Sequence, residues 1–285
     1  MKPGPFDYAV PDTLHEALQL LSGTERDTKV LAGGQSLIPM LNMRLARPEL
    51  LVDITRIPEL GQLAVGDDGA LRIGASVRQA AVAADPVVRE GWPLLAAAIT
   101  QIGHPQIRNR GTVCGSLVHH DPAAELPAAA LALDARFTVA GPRGTRTVEA
   151  ADFFLSTFAT DVEPDEIVTD VVVPPQAAGT GWAFQELVHR RGDFAGVGVA
   201  VLLRRAGERV DAARIVFFGV GSTPVRVPAA EQALIGGGLD AEATVAAAHA
   251  ALDPQGDVHA GAEWRREGAE VLLRRALAEA WERTA

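Results

Sequence analysis

KVLAGGQSLIPMLNMRL, Lys29–Leu45, is the segment from which the rest of the chain can be read. An apolar run, Val30-Leu31-Ala32, stops at Gly33-Gly34; Gln35 and Ser36 follow, and then the amphipathic Leu37-Ile38-Pro39-Met40-Leu41. This pattern predicts a buried strand, a tight glycine turn and a helix start. Ser36 suits the N-cap, and Pro39 falls in the first turn, where a missing N–H costs nothing. Such a turn leaves several backbone N–H groups unpaired and pointing the same way, and glycine lets an anion approach them closely. The segment reads either as a cradle for phosphate or pyrophosphate, or simply as a turn between a strand and a helix.

The flanking sequence extends this unit. PFDYAV reads as a short strand. Asp12 or Thr13 then caps a helix whose apolar face is Leu14, Ala17, Leu18 and Leu21, and Glu49–Ile54 forms a second buried strand. The alternation suggests a small α/β unit. Leu60–Ala75 reads as a hairpin around Gly66-Asp67-Asp68-Gly69. Ser76 caps a helix through Ala84, and a helical segment from Pro86 to about Gln101 is interrupted at Trp92-Pro93. Gly103–Pro127, GHPQIRNRGTVCGSLVHHDPAAELP, has no clear periodicity, and its length points to function rather than to a simple connection. A helix follows at Ala128–Leu133, a hairpin at Arg136–Val148 and a strand at Ile167–Val173. Gln176–Gly181 looks like a linker and a domain boundary. Beyond it come strand candidates Trp182–His189, Gly196–Arg204 and Ala213–Val220. Helices follow at about Ala229–Leu234, Ala241–Leu252 and Trp264–Trp281, which indicates an α+β C-terminal domain.

Composition narrows the function. The chain has 285 residues, 48% of them hydrophobic, enough for two domains with real cores. Its net charge of -10 argues against general nucleic-acid binding, which needs a basic surface. No stretch reaches the roughly 18 apolar residues of a membrane span. MKPGPFDYAV lacks a charged start followed by an apolar stretch, so a cytoplasmic location is expected. Cys114 is the single cysteine. An internal disulfide is therefore excluded, as is a thiolate-ligated iron–sulfur cluster within this chain.

Most local motifs fail a chemical check. Neither Lys2 nor Lys29 stands where a P-loop needs its lysine. Gly219-Val220-Gly221 is followed by Pro224 where a Rossmann turn needs its third glycine. Gly34–Ile38 lacks the last glycine of a nucleophile elbow. His119, His120, Asp121 and Glu125 do not match a standard zinc spacing, and a loop contact or solvent exposure accounts for them as well. His104 has no visible orienting partner for a general base. Cys114 reads as a small buried residue rather than a reactive thiol. What survives is a second glycine turn, Gly111-Thr112-Val113-Cys114-Gly115-Ser116, preceded by Arg108-Asn109-Arg110. Two such turns suit the two phosphates of a dinucleotide, with Glu125 at ribose or ribityl hydroxyls. Alternatively, the arginines pair with surplus carboxylates and the turn is only a turn.

Taken together, these stretches resemble one family. AGGQS, Ala32–Ser36, is similar to the AGGxS motif of the FAD-binding subunits of molybdenum hydroxylases, the xanthine dehydrogenase and carbon monoxide dehydrogenase group. IRNRGTVCGSLVHHDPAAELP, Ile107–Pro127, resembles that family's second motif, RNxGTxGGSxxHADPAxExP, and HRRGDFAGVGVA, His189–Ala200, resembles the start of its C-terminal domain. The layout resembles the bacterial medium subunits for carbon monoxide, nicotine and other N-heterocycles.

The resemblance implies an α+β protein. FAD would lie between a small α/β subdomain, about 1–56, and a mixed-sheet subdomain, about 57–175. Residues 176–285 would form a domain with a three-stranded antiparallel sheet and a helical bundle. It implies cofactor contacts at Val30–Leu37, at Ile102 near the flavin ring, at Thr112, Val113, Cys114, Gly115 and Ser116, at Glu125 on a sugar hydroxyl, at Val168 as an apolar wall, and at Glu186. Three positions depart from the family pattern: Gln35 replaces a frequent histidine, Cys114 a frequent glycine, and Glu186 a lysine near the flavin. The implied function is that of the FAD subunit of a heterotrimeric molybdenum hydroxylase, assembled as a dimer of heterotrimers. The molybdenum cofactor would sit on a large partner, iron–sulfur clusters on a small one, and electrons would leave to an external acceptor. No catalytic acid, base, nucleophile or metal ligand is assigned to this chain. The alternatives are a self-contained flavin oxidase or dehydrogenase and a non-enzymatic nucleotide-binding subunit.

Overall fold

The first part of the chain alternates strand and helix: β1 (Asp7–Ala9), α1 (Leu14–Ser22), β2 (Thr28–Leu31), α2 (Leu37–Asn42) and β3 (Leu50–Asp53). The structure, a computed structural model, describes residues 2–23 and 25–284. The three strands form a parallel sheet in the order β1-β3-β2. β3 is central, so its Leu50, Leu51 and Val52 are buried, as covered parallel strands require. α1 starts where Thr13 Oγ1 accepts the Glu16 N–H at 3.2 Å, and it packs Ala17 and Leu21 inward. β2 departs from the expectation of burial. It is an edge strand, and its residues stay partly exposed because they face a cleft. Ser36 occupies the N-cap position of α2, but its side chain makes no cap bond.

The second part begins with the hairpin β4 (Leu63–Val65) and β5 (Leu71–Gly74). A helical run follows: α3 (Gln79–Ala84), α4 (Pro86–Gly91), α5 (Pro93–Gln101), α6 (Pro105–Arg108), α7 (Val113–His119) and α8 (Glu125–Ala132). The chain then returns through β6 (Arg136–Gly141), β7 (Gly144–Glu149), the single turn α9 (Ala150–Phe153), the small hairpin β8 (Phe154–Ser156) and β9 (Ala159–Thr160), and β10 (Ile167–Val173). The sheet order is β4-β5-β10-β6-β7, and every pairing is antiparallel rather than mixed. Two hairpins flank β10, and neither is joined to it by a parallel crossover. The α4–α5 break falls at Trp92, whose Nε1 donates to Pro174 O at 2.7 Å. Ser76 does not cap α3; that helix begins three residues later because Arg78 is held extended in a bridge to Thr112. The stretch 103–127 is more ordered than its sequence suggests, since it contains α6, α7 and the first turn of α8.

The last part is β11 (Gly181–Leu187), β12 (Val197–Ala206), β13 (Arg209–Phe218), β14 (Val225–Arg226), α10 (Pro228–Leu234), α11 (Ala241–Ala251) and α12 (Ala262–Glu282). Its antiparallel sheet has four strands rather than three. β14 is two residues long, too short to show a period, and is pinned by Glu231, which pairs with Arg226 and accepts the Ile215 N–H. Both faces of this sheet are covered. Val197, Val199, Val201 and Leu203 pack with α12, whereas Phe184, Ala200, Val216 and Phe218 join the core that contains α5 and α8. That double burial explains the almost unbroken apolar run of β12. It also packs α8 against β12 and β13. Among the described residues no helix is long and apolar enough to cross a membrane.

Candidate functional site

A cleft of about 600 Å³ opens where β2 and β3 end, between the loop after β2 and the start of α7. Ligand clefts in α/β sheets form at such carboxyl ends. Gly34 has φ +73°, which turns the chain sharply after β2. Gly33 is needed for a different reason. A Cβ there would lie 2.6 Å from Arg110 O, 2.7 Å from Gly111 Cα and 2.9 Å from Thr112 N, so the two loops touch backbone to backbone. None of the amides of Gly33, Gly34, Gln35 and Ser36 finds a backbone acceptor among the described residues. They form a row of free donors on the cleft wall. Gln35 Nε2 lies 3.4 Å from Gly33 O, so its side chain closes its own loop while bordering the cleft.

The facing wall is the first turn of α7. Thr112 caps it by accepting the Gly115 N–H at 3.1 Å, and a Cβ on Gly115 would meet Thr112 Oγ1 at 2.6 Å. The second glycine turn of the sequence is thus a helix start, with Cys114, Gly115 and Ser116 inside the helix. Cys114 therefore needs no glycine-like φ. Its Sγ lies 3.4 Å from Ile73 O, and burial pushes the thiol far up, which leaves it unreactive. Val113 faces the core, with its N–H on Val77 O at 3.2 Å, and is not part of the lining.

Ile102, Gly103, Val168 and Glu125 line the far part of the cleft together with the loop between β11 and β12, which supplies Gly192, Asp193 and Phe194. Gly192 has φ +88°, and a Cβ there would come within 2.9 Å of His104 Cε1 and 3.0 Å of Gly103 O. The loop thus rests on the Gly103–His104 turn. Phe194 is 72% exposed at its tip. Arg108 does not reach for an anion or a carboxylate; it donates to Ile102 O at 2.7 Å and Gly103 O at 3.0 Å and holds this corner. His119 lies against Phe158, with ring centroids 5.0 Å apart, and burial lowers its pKa. His120 turns the other way, against Phe154, with Nδ1 3.2 Å from Ala159 O. Among the described residues no cluster of His, Cys, Asp or Glu could hold a metal ion.

Glu125 is 7% exposed, and burial pushes its carboxyl up to about 8, with the Glu186 charge adding to the rise. Burial likewise pushes Glu186 up to about 7. Glu186 is not in the cleft lining but stands behind it on β11. All the cofactor contacts implied by the sequence, except Val113 and Glu186, thus gather around one cleft. Sequence reasoning missed Lys29, Gln79 and the aromatic pair Phe158 and Phe194, which also line it. Gln79 Oε1 is buried beside Gly111 with no hydrogen-bond partner among the described residues. The signal for Phe194 was present, an aromatic residue directly after Arg-Arg-Gly-Asp in a loop. Chemically, the cleft offers free amides for a diphosphate and an apolar end for a planar ring.

Comparison with known proteins is consistent across the whole chain. Residues 4–176 match the FAD-binding domain of molybdopterin dehydrogenases, and residues 182–280 match the C-terminal domain of the carbon monoxide dehydrogenase flavoprotein. The alpha subunit of the 6-hydroxypseudooxynicotine dehydrogenase complex of Paenarthrobacter nicotinovorans is 43% identical over 99% of this chain and 97% of its own. The structure of carbon monoxide dehydrogenase from Hydrogenophaga pseudoflava lacking the Mo-pyranopterin moiety contains a chain that superposes with a TM-score of 0.97, at 41% identity, over the full length of both. A chain of quinoline 2-oxidoreductase from Pseudomonas putida 86 gives a TM-score of 0.95 at 33% identity, over 99% of each.

Proposed function

This chain belongs to the family of FAD-binding medium subunits of the molybdenum hydroxylases, and from that premise we propose that it is the electron-transfer subunit of a heterotrimer. In that assembly a large partner holds the molybdenum cofactor and oxidises the substrate, and a small partner holds iron–sulfur clusters. This chain carries FAD and delivers electrons to an external acceptor. Two such heterotrimers would pair, in the cytoplasm. FAD, when bound, supplies the redox chemistry, while the protein binds, orients and shields it.

The observation that carries this reading is the row of unpartnered amides at Gly33–Ser36 facing the first turn of α7 across the cleft. A pyrophosphate satisfies such donors. Residues Val30–Leu37 and Thr112, Cys114, Gly115 and Ser116 would hold the dinucleotide, and Ile102 and Val168 would border the ring. Glu125 would meet a hydroxyl. Residues 1–175 would be the FAD-binding domain and 176–285 the C-terminal domain. A self-contained flavin oxidase would need a base or substrate-binding group beside the flavin, and among the described residues no convincing one is assigned.

Two measurements test the proposal. The chain purified alone should take up FAD and show a flavin spectrum, without bleaching that flavin when organic substrates are added. Purified from its native cell, it should carry molybdenum and iron with it. A colourless chain that refuses added FAD, or a chain isolated without either metal, would overturn it.

A further inference from the structure

Holding a cofactor does not account for two carboxyls at this end of the protein, the buried Glu125 on the cleft wall and the half-buried Glu186 outside the lining. Along β11 the side chains alternate. Gln185 bonds to Glu279 on α12, and Phe184 joins the core that contains α5 and α8. Glu186, two residues on from Phe184, shares its face. Its Oε2 is fully buried and has no hydrogen-bond partner among the described residues. Glu125 is the first residue of α8, which packs on β12 and β13, and the Glu186 charge adds to the rise of its carboxyl pKa. Glu125 also borders the cleft, so the pair is connected to whatever fills it.

The Glu125 carboxyl has its own backbone N–H as a donor, which lowers its pKa less than burial and the Glu186 charge raise it. α5 and the 197–203 half of β12 carry no charged side chain. Arg214 on β13 is committed to Asp134. Arg108 on α6 lowers the Glu125 pKa only weakly, because its guanidinium serves the carbonyls of Ile102 and Gly103. Asp121 adds negative charge, and His119, on the cleft wall, is held towards its neutral form by burial. His189, Arg190, Arg191 and Asp193 are exposed on the loop after β11. A buried carboxylate without a cation or a set of donors takes up a proton instead of staying charged. The Glu186 charge strengthens that tendency at Glu125.

We propose that Glu125 and Glu186 hold at least one proton between them at neutral pH, and that FAD entering the cleft draws a further proton from solvent onto the pair, so that cofactor binding is coupled to proton uptake. This rests on the FAD reading of the cleft. Two effects act in the same direction: the ligand removes water from Glu125, and its phosphates add negative charge nearby. Only the protonation of a carboxyl oxygen changes; no other bond forms or breaks.

The test is calorimetric titration of the FAD-free full-length chain with FAD in pairs of phosphate-free buffers with different protonation enthalpies, HEPES and Tris near pH 8 and acetate and MES near pH 5.5. At about pH 8, where the pair is partly ionised, the two apparent enthalpies should differ by an amount equal to uptake of roughly 0.3–1 proton per FAD. The difference should vanish near pH 5.5, where both carboxyls already carry protons, and Glu186→Gln should reduce it at least twofold at pH 8. Tight FAD binding with equal enthalpies in both buffers at every pH overturns the coupling and leaves the FAD reading intact. Failure to bind FAD overturns both. A second measurement needs no ligand. The infrared spectrum of the FAD-free chain at neutral pH should contain the C=O stretch of a protonated carboxyl, weakened in Glu186→Gln, and its absence in the wild type overturns the proposal.

Discussion

Gly33 shows how one atom can control the cleft. The sequence suggests that this glycine is there to let a phosphate approach. The structure adds a stronger demand, because a Cβ would strike Arg110 O, Gly111 Cα and Thr112 N, all at less than 3 Å. Gly33→Val should therefore push the two walls apart and lower FAD affinity by at least about tenfold, a loss of roughly 1.4 kcal/mol or more. The flavin absorbance of the purified variant measures this, and full flavin content in a folded variant would contradict it. The buried acids set the pH dependence of the FAD-free chain. Glu125 and Glu186 have pKa values of about 8 and about 7 when folded, against 4.5 for the free side chain. Between those values the folded state binds more protons than the unfolded state, so stability falls as pH rises from about 5 to 8. Asp53, Glu166 and Asp257 are shifted down and act the other way, losing their contribution only in more acidic solution. The melting temperature should drop by a few degrees across the first window, and a flat or rising profile would refute the assignment.

At the scale of elements, α7 carries the second wall and depends on its cap. Thr112→Ala removes the Oγ1 acceptor of the Gly115 N–H at a cost of about 1 kcal/mol. The melting temperature should fall by about 2–4 °C. FAD affinity should fall with it, because the first turn of α7 lines the cleft proposed to hold FAD; an unchanged FAD titration would place the ligand elsewhere. The helices were largely legible from their punctuation. Pro86, Pro93 and Thr13 mark starts that the structure keeps. Ser36 and Ser76 illustrate where punctuation fails. Both have good cap chemistry, yet the side chain of Ser36 is left free beside the cleft and Ser76 lies before an extended bridge to Thr112. A partner distant in sequence overrides a local preference.

At the scale of the whole molecule, the C-terminal part completes a site that the N-terminal part begins. Arg265 on α12 donates to Gly196 O, to Gly219 O at 2.6 Å and to Asp257 at 2.7 Å, and the Gly219 N–H in turn holds Pro122 O at 3.0 Å. One guanidinium thus anchors both the loop that carries Phe194 and the segment that carries Asp121. Arg265→Met leaves buried carbonyls unpaired, at about 1–3 kcal/mol each. Amide exchange across residues 188–196 should accelerate, and FAD should dissociate faster; unchanged exchange there would assign the anchoring to other contacts. Periodicity, glycine turns and proline breaks in the sequence were enough to establish the α/β beginning, the hairpins and the strands and helices of the C-terminal part, because these follow from local sterics and from the spacing of apolar residues; that two glycine turns share one cleft came from the family resemblance. Three features came only from the folded chain: the backbone contact at Gly33, the antiparallel order of the middle sheet, and the burial of Glu125 on the cleft wall within reach of the Glu186 charge. Each depends on residues tens of positions apart being packed together, and packing at that separation leaves no periodic trace along the chain.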